Sequence, residues 1–538
     1  MLPDLFFFLL IHSQLLISSS SSSPPVLQCN PDERSALLQL KTSFKFVADG
    51  SLSCARLNKN GTSHDATALW NEKTDCCTWE GISCDVFGNV IVLDLSCGSL
   101  QGLDLRQCKL HGKQLENIFV LSKLQSLFLR ENEAPNGSFP RSNWSSALEY
   151  LDIYNNTFSI DLPLLLKNIP KSLSILYLSF NNLVGPLPDN IHFLAGSAPK
   201  FIGLDLSNNL LNGTIPSWIY AIPYLEDLYL SHNQFTGEII GGFQSPSVQP
   251  LDLSSNKLSG TLELEKLLNF KRLVYLDLSS NNISVTFGNS KNYRLDNLEG
   301  LYLSSCNITE FPHILKSSKT LFGLDLSHNH IQGRVPKWLW EVGNNSLTNL
   351  TLSHNLLTHI EPLPWNGLRY LDLSSNLFSG TLPIISSSIL WFFSVAKNQF
   401  EGEISTSFCK TTSLAVLDLS SNNLSGIIPE CMGKFSKQLS VLNYMGEYYY
   451  QDSITVTMKG YELELVHIQT ILVSLDFSCN NFIGEIPGLL ERLKSLKGLN
   501  ISHNMLRGVI PSSLGKLTNL EWLDLSANKL SGNIPLQC

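Results

Sequence analysis

The chain has 538 residues, 46 acidic and 37 basic, and its net charge of −9 excludes nucleic acid as the main partner because phosphate binding needs a basic face. Charged residues are 15% and hydrophobic residues 43% of the chain, the reverse of what disorder requires. The sequence is that of a folded protein.

The first element is an apolar run from Leu5 to Ile11, followed by Leu15-Leu16-Ile17 and a serine tract from Ser18 to Ser23. That order predicts a secretory signal peptide over residues 1–23, cleaved within 18–28, with an atypical n-region that holds Asp4 and no Lys or Arg. The run is too short and interrupted for the ~20 apolar residues of a membrane span. No later stretch has that length either, so the sequence as written reads as soluble and extracellular.

Cysteine usage fits that compartment. Six of the 12 cysteines precede residue 100 (Cys29, Cys54, Cys76, Cys77, Cys84 and Cys97), which in an oxidising environment reads as a disulfide framework. No C-x-x-C is matched by a second one, so a zinc site is not expected. Asn-x-Ser/Thr sequons at Asn60, Asn136, Asn143, Asn155, Asn212, Asn282, Asn307, Asn344, Asn349, Asn423 and Asn500 predict glycosylation at several of these positions.

Residues 24–89 read as a cap. Between Asp32 and Phe44 the apolar positions are Leu37, Leu38, Leu40 and Phe44, the pattern of an amphipathic helix with an acidic residue near its start. Over residues 90–435 and 471–538 one phrase recurs: LDLSNN at Leu204, LYLSHN at Leu228, LDLSSN at Leu251, Leu276, Leu371 and Leu417, LNISHN at Leu499. On the template L-x-x-L-x-L-x-x-N, the last position falls at Asn132, Asn156, Asn181, Asn209, Asn233, Asn256, Asn281, Cys306, Asn329, Asn355, Asn376, Asn398, Asn422, Asn480, Asn504 and Asn528. Most spacings are 21–28 residues; the step of 58 from Asn422 to Asn480 holds one repeat and an insertion of about 34.

The period has a physical reading. L-x-L is a short strand with its leucines on one side, and stacked repeats align such strands into a parallel sheet over a leucine column. One repeat cannot cover its own apolar face, so the fold class is an α/β repeat solenoid, a horseshoe or superhelix with a concave parallel sheet. The Asn both donates and accepts where the chain turns, and Cys306 predicts a local irregularity rather than a functional thiol. A second signature, G-x-[IVL]-P, ends at Pro216, Pro336, Pro383, Pro429, Pro487, Pro511 and Pro535. Cys409 and Cys431 are 22 residues apart, close to one repeat, so they lie near each other on adjacent rungs and a disulfide is geometrically plausible.

The insertion, residues 436–470, carries Ile454, Val456 and Met458 in alternation, then Lys459-Gly460, then Tyr461, Leu463 and Leu465: a hairpin signal.

The full pattern L-x-x-L-x-L-x-x-N-x-L-S-G-x-I-P resembles the plant extracellular class of leucine-rich repeats, and Asp75-Cys76-Cys77-Thr78-Trp79-Glu80-Gly81-Ile82-Ser83-Cys84 resembles the N-cap motif of plant repeat receptors. That resemblance implies the pairs Cys29–Cys76 and Cys77–Cys84, with Cys54 unassigned. The string Tyr449-Tyr450-Gln451-Asp452-Ser453-Ile454-Thr455-Val456-Thr457-Met458 is similar to the island of Cf-type receptor-like proteins. Members of that family continue through further repeats, a Cys-containing cap, a transmembrane helix and a short tail at the plasma membrane. This sequence ends at Cys538, so a truncated chain with an uncovered last rung around Leu520, Leu523 and Leu525 is expected.

No G-x-S-x-G, G-x-x-x-x-G-K-[ST] or H-E-x-x-H occurs, so no enzyme and no cofactor is expected. The recurring Asp of L-D-L-S (Asp205, Asp252, Asp277, Asp325, Asp372, Asp418, Asp524) reads as scaffold, as do His232, His328, His354 and His503 in S-H-N. Side chains flanking L-x-L do not hold the fold and are free for recognition. Aromatics there, chiefly Tyr275, Tyr302, Tyr370, Trp391 and Phe392, are the candidate ligand-binding residues, because aromatic anchors are enriched at binding hot spots. The resemblance implies a recognition ectodomain for a peptide, protein or glycan ligand in the apoplast, in defence or development, acting through a receptor-like kinase co-receptor. Alternatives are a secreted inhibitor of a pathogen cell-wall-degrading enzyme, similar to polygalacturonase-inhibiting proteins, and a fragment without function.

Overall fold

The computed structural model describes residues 29, 31, 34, 38, 55–57, 63–65, 70–79, 82–84, 90–93, 102–104, 125–130, 148–156, 160–190, 200–240, 242–267, 272–288, 295–411, 413–435, 449–450, 454–458, 461–465, 468–469 and 473–536. The expected signal peptide, the sequons at Asn60, Asn136 and Asn143, and Cys54, Cys97, Cys108 and Cys538 lie outside the described residues. The chain forms two compact units, residues 1–258 and 259–538. Among the described residues no helix is long and apolar enough to cross a membrane.

In the first unit the N-terminal region is pinned by disulfides Cys29–Cys76 and Cys77–Cys84, with Cα atoms 5.4 and 5.5 Å apart. The Asp75 carboxylate accepts from the backbone N–H of Cys29 and of Cys77, which ties both bridges to one turn. Trp70 and Trp79 stack with ring centroids 5.3 Å apart over a small core that includes Cys76 and Ile82. Pro31, Arg34 and Leu38 are helical. Beyond this cap, strands 102–104, 126–128, 150–152, 175–177, 203–205, 227–229 and 250–252 pair in parallel, each in register with the next repeat.

The second unit repeats the scheme. Strands 275–277, 300–302, 323–325, 349–351, 370–372, 392–394, 416–418, 474–476, 498–500 and 522–524 form one parallel ladder. Their central residues, from Leu276 through Leu371, Phe393 and Leu417 to Leu499, are at most 2% exposed. Each such burial contributes ~1.5–3 kcal/mol, so the column is the main stabilising feature. Leu523, on the last of these strands, is 37% exposed.

The asparagine ladder shows why that position is restricted. Asn376 Nδ2 donates to the carbonyls of Leu352, Leu373 and Ser374 at 2.9–3.2 Å, while its Oδ1 accepts from Leu357 N–H at 3.0 Å. One side chain therefore closes its own turn and clips it to the preceding rung, which needs an amide with donors and an acceptor. At Cys306 only weak contacts replace this, from Sγ to the carbonyls of Leu278 and Ser304 at 3.5 and 3.6 Å. Asn307 there adds a second positive φ, of 53°. Burial pushes the Cys306 thiol well above its usual range, so it stays protonated and unreactive.

Among the described residues, the one before each ladder position has φ between 51° and 57°, from Phe180 and Asn208 to His328, Cys479 and His503. Asn and His tolerate this left-handed conformation better than most residues, which suits Asn155, Asn208 and the four S-H-N histidines, while Ser holds the position at 255, 280, 305, 375 and 421. A second set of parallel strands follows, for example 210–214 with 234–238, and 399–403 with 423–427 and 481–483. The glycine of G-x-I-P serves twice here. Gly484 has φ 87°, and a side chain on it would meet Ile427 of the previous rung 3.0 Å away.

Within the insertion, 449–450 pairs antiparallel with 468–469, and 454–458 pairs with 461–465 so that Met458 faces Tyr461 across a two-residue connection.

Candidate functional site

Each rung presents two outward backbone positions on its strand face, one before the central leucine and one after it. In the second unit the latter position reads Asp277, Tyr302, Asp325, Thr351, Asp372, Ser394, Asp418, Asp476, Asn500, Asp524. Carboxylates alternate with neutral residues, which spaces like charges about 9–10 Å apart. In this unit the alternation fails between Asp418 and Asp476, which pair directly on the two rungs that flank the insertion.

These carboxylates brace the turns. Asp325, Asp372, Asp418 and Asp476 each accept from the backbone N–H of the serine two residues on, at 2.8–2.9 Å. Asp476 accepts as well from Ser478 Oγ at 2.6 Å and from Asn500 Nδ2 at 3.0 Å. Burial raises the carboxyls of Asp325, Asp372 and Asp476 above the usual range. Burial, with the adjoining Asp476 charge, pushes Asp418 up to about 7. His328 and His354 stack across rungs with ring centroids 4.0 Å apart.

The five candidate aromatics divide. Tyr275 and Tyr302 are half-buried, with centroids 5.1 Å apart. Tyr302 lies flat across glycines: a side chain at Gly300 would come within 2.8 Å of its ring, and one at Gly323 would collide with its hydroxyl. Trp522 covers Gly498 in the same way. Tyr370 and Phe392 stack in parallel at 4.2 Å and are 2% and 3% exposed, which corrects the expectation that both offer free surface. Parallel rungs lie ~4.8 Å apart, close to ring-stacking distance, so two aromatics in register bury each other. Trp391 lies half-buried against both, 5.6 and 5.7 Å away, and is the accessible member of that cluster.

Among the predicted sequons, Asn155, Asn212, Asn282, Asn307, Asn344 and Asn423 are exposed and Asn349 is half-buried. Asn500 is a correction: it is 6% exposed, and its Nδ2, the atom a glycan would need, is bonded to Asp476. Cys409 and Cys431 are joined, with Cα atoms 5.4 Å apart, between turns of adjacent rungs. Cys479 is an exposed free thiol in the left-handed position, which the sequence did not single out. Cys29, Asp75, Cys76 and Cys77 come within metal-ligand reach of one another, but the three sulfurs are in disulfides and have no thiolate to offer.

This architecture, with a disulfide-pinned cap before stacked rungs, defines a leucine-rich-repeat protein. Family models agree: a leucine-rich-repeat N-terminal domain matches residues 30–53 and 55–85, and leucine-rich-repeat models match 172–194, 201–222, 224–246, 367–388, 413–435 and 471–530. Receptor-like protein 54 of Arabidopsis thaliana is 32% identical over 76% of this chain and 53% of its own length. Receptor-like protein 6 of the same plant is 26% identical over 77% of this chain and 62% of its own length. The chain spans 22–62% of the length of the first curated relatives it matches. Among solved structures, the Arabidopsis receptor kinase HAESA in complex with the peptide hormone IDA and the co-receptor SERK1 is similar at TM-score 0.58 and 25% identity, covering 94% of this chain and 87% of that one. The plant peptide hormone receptor RGFR1 in complex with RGF2 gives TM-score 0.53 at 26% identity, covering 82% and 65%. The chain is thus a leucine-rich-repeat protein similar to plant receptor-like proteins.

Proposed function

We propose that this chain is the extracellular recognition region of a plant receptor-like protein, secreted and glycosylated, which binds a peptide on the strand face of its second unit and engages a kinase-bearing co-receptor. It works by recognition, not catalysis. The observation that carries the reading is the strand face itself: between Tyr275 and Phe392 it departs from the repeat consensus into aromatic side chains, of which Tyr275, Tyr302 and Trp391 are half-buried, while the central leucines beneath stay constant. Half-buried rings held against glycines, as Tyr302 is, or against buried rings, as Trp391 is, are rigid, so a ligand meets them at little entropic cost. Support comes from the similar solved structures, HAESA in complex with the peptide hormone IDA and the peptide hormone receptor RGFR1 in complex with RGF2. The role in defence or in development belongs to the same proposal, as does the apoplast as the site of the encounter.

The test is selection of random dodecapeptides displayed on phage against the full secreted chain. Enriched peptides are expected to bind wild type and to lose at least tenfold in affinity on Trp391→Ala, since one aromatic anchor is worth ~2 kcal/mol. Peptides that bind Trp391→Ala and Tyr302→Ala as well as wild type would place recognition elsewhere.

A further inference from the structure

The second-sheet ladder is broken in the second unit. The repeat from Asn355 to Asn376 has 21 residues, and where other rungs carry G-x-I-P it reads His359-Ile360-Glu361-Pro362. Strand 356–359 pairs backward with 332–334 through a register shift, and towards the next rung the link is an isolated bridge between Leu363 and Ile385. Strand 379–380 is correspondingly two residues long, against five in 399–403 and 423–427.

A groove of about 950 Å³ opens at this break. It runs over four rungs, from His359 and Glu361 past Thr381 and Gln399 with Glu401 to Asn423. Three rung spacings make its length about 14–15 Å. The lining mixes carboxylate, amide, hydroxyl and imidazole groups with the flat apolar surfaces of Pro362, Pro383 and Ile384. Polar groups able to accept and donate, set beside small apolar planes, suit a chain of sugar rings better than an apolar ligand.

The end of the groove supplies the sugar's attachment point. Asn423-Leu424-Ser425 is a sequon, Asn423 is exposed, and its Oδ1 is fixed by Asn481 Nδ2 at 2.7 Å on the side away from the groove. We infer that Asn423 carries an N-linked glycan whose core lies back along this groove and fills the gap left by the shortened repeat. The groove is then a bed for the protein's own carbohydrate rather than a cleft for a free ligand. This rests on the secreted, glycosylated reading above.

The test uses the full chain secreted from plant cells, analysed by glycopeptide mass spectrometry and by hydrogen exchange before and after enzymatic trimming of each glycan to one N-acetylglucosamine. Asn423 is expected to be occupied, and trimming is expected to raise exchange at least threefold in residues 358–362 and 379–382 without change in residues 498–504. The paired variant Gln399→Ala/Glu401→Ala is expected to keep the glycan and lose the same protection. An unoccupied Asn423 beside occupied Asn212 and Asn282 overturns the inference, as does an occupied Asn423 whose trimming leaves exchange in the groove unaltered. If none of the exposed sequons is occupied, the secreted reading itself fails, a result distinct from both.

Discussion

The strand face of the second unit has two unlike stretches. From 275 to 394 the outward positions hold Tyr275, Tyr302, Tyr370 and Phe392, with Trp391 just before the last of these strands and with acidic residues kept apart by neutral ones. From 416 to 500 they hold Val416, Ser474 and Gly498 beside the adjoining carboxyls of Asp418 and Asp476. Beneath both stretches the central Leu371, Leu417 and Leu499 are equally buried. Interior constancy with exterior variation means that the scaffold and the recognition surface are set by different residues, and each can be altered separately.

The largest effect belongs to the scaffold. Leu371→Ala removes a fully buried side chain from the column and is expected to cost ~2–5 kcal/mol by chemical denaturation. A smaller loss would mean that the rungs close over the cavity. Next comes the notch under Tyr302: Gly323→Ala drives a methyl into the tyrosine hydroxyl and is expected to cost ~1–3 kcal/mol. Tyr302→Phe removes the colliding atom, so the double variant should recover part of that loss, and strict additivity would show the two sites to be uncoupled.

The carboxyl pair adds to a pH dependence whose direction the buried Asp325 and Asp372 of the aromatic stretch share. Asp418 holds its proton up to about 7 in the folded chain, whereas an unfolded Asp releases it near ~3.9. Between those values the folded state binds more protons, so stability rises as pH falls, by at most ~1.4 kcal/mol per pH unit for each such proton. Thermal unfolding is thus expected at higher temperature at pH 5 than at pH 8, and Asp418→Asn should reduce the difference while Asp325, Asp372 and Asp476 keep part of it. A wild-type profile that instead climbs toward pH 8 contradicts this account of the pair. The smallest effect is at the surface: breaking the exposed Lys497–Glu521 pair with Glu521→Gln should change stability by ~0–1 kcal/mol.

Much of the fold was legible because the period imposes it. The leucines, the asparagine ladder and the G-x-I-P turns each answer to a requirement within one repeat or between identical neighbours. The face was less legible because its accessibility depends on unlike neighbours. Whether Tyr302 stands free is decided by glycines at 300 and 323, and whether Phe392 does so by Tyr370 in the same register. Asn500 satisfies the sequon pattern, yet the carboxylate one rung earlier claims its amide. The groove had a faint signal in the 21-residue spacing from Asn355 to Asn376, but spacing alone does not say which sheet breaks.

The most direct measurement is a hydrogen-exchange footprint of a phage-selected peptide on the full chain. Protection is expected along strands 300–302, 323–325, 349–351, 370–372 and 392–394, with strands 498–500 and 522–524 unaffected. Protection confined to the cap, to the hairpin at 454–465 or to the 399–403 flank would contradict recognition by the strand face.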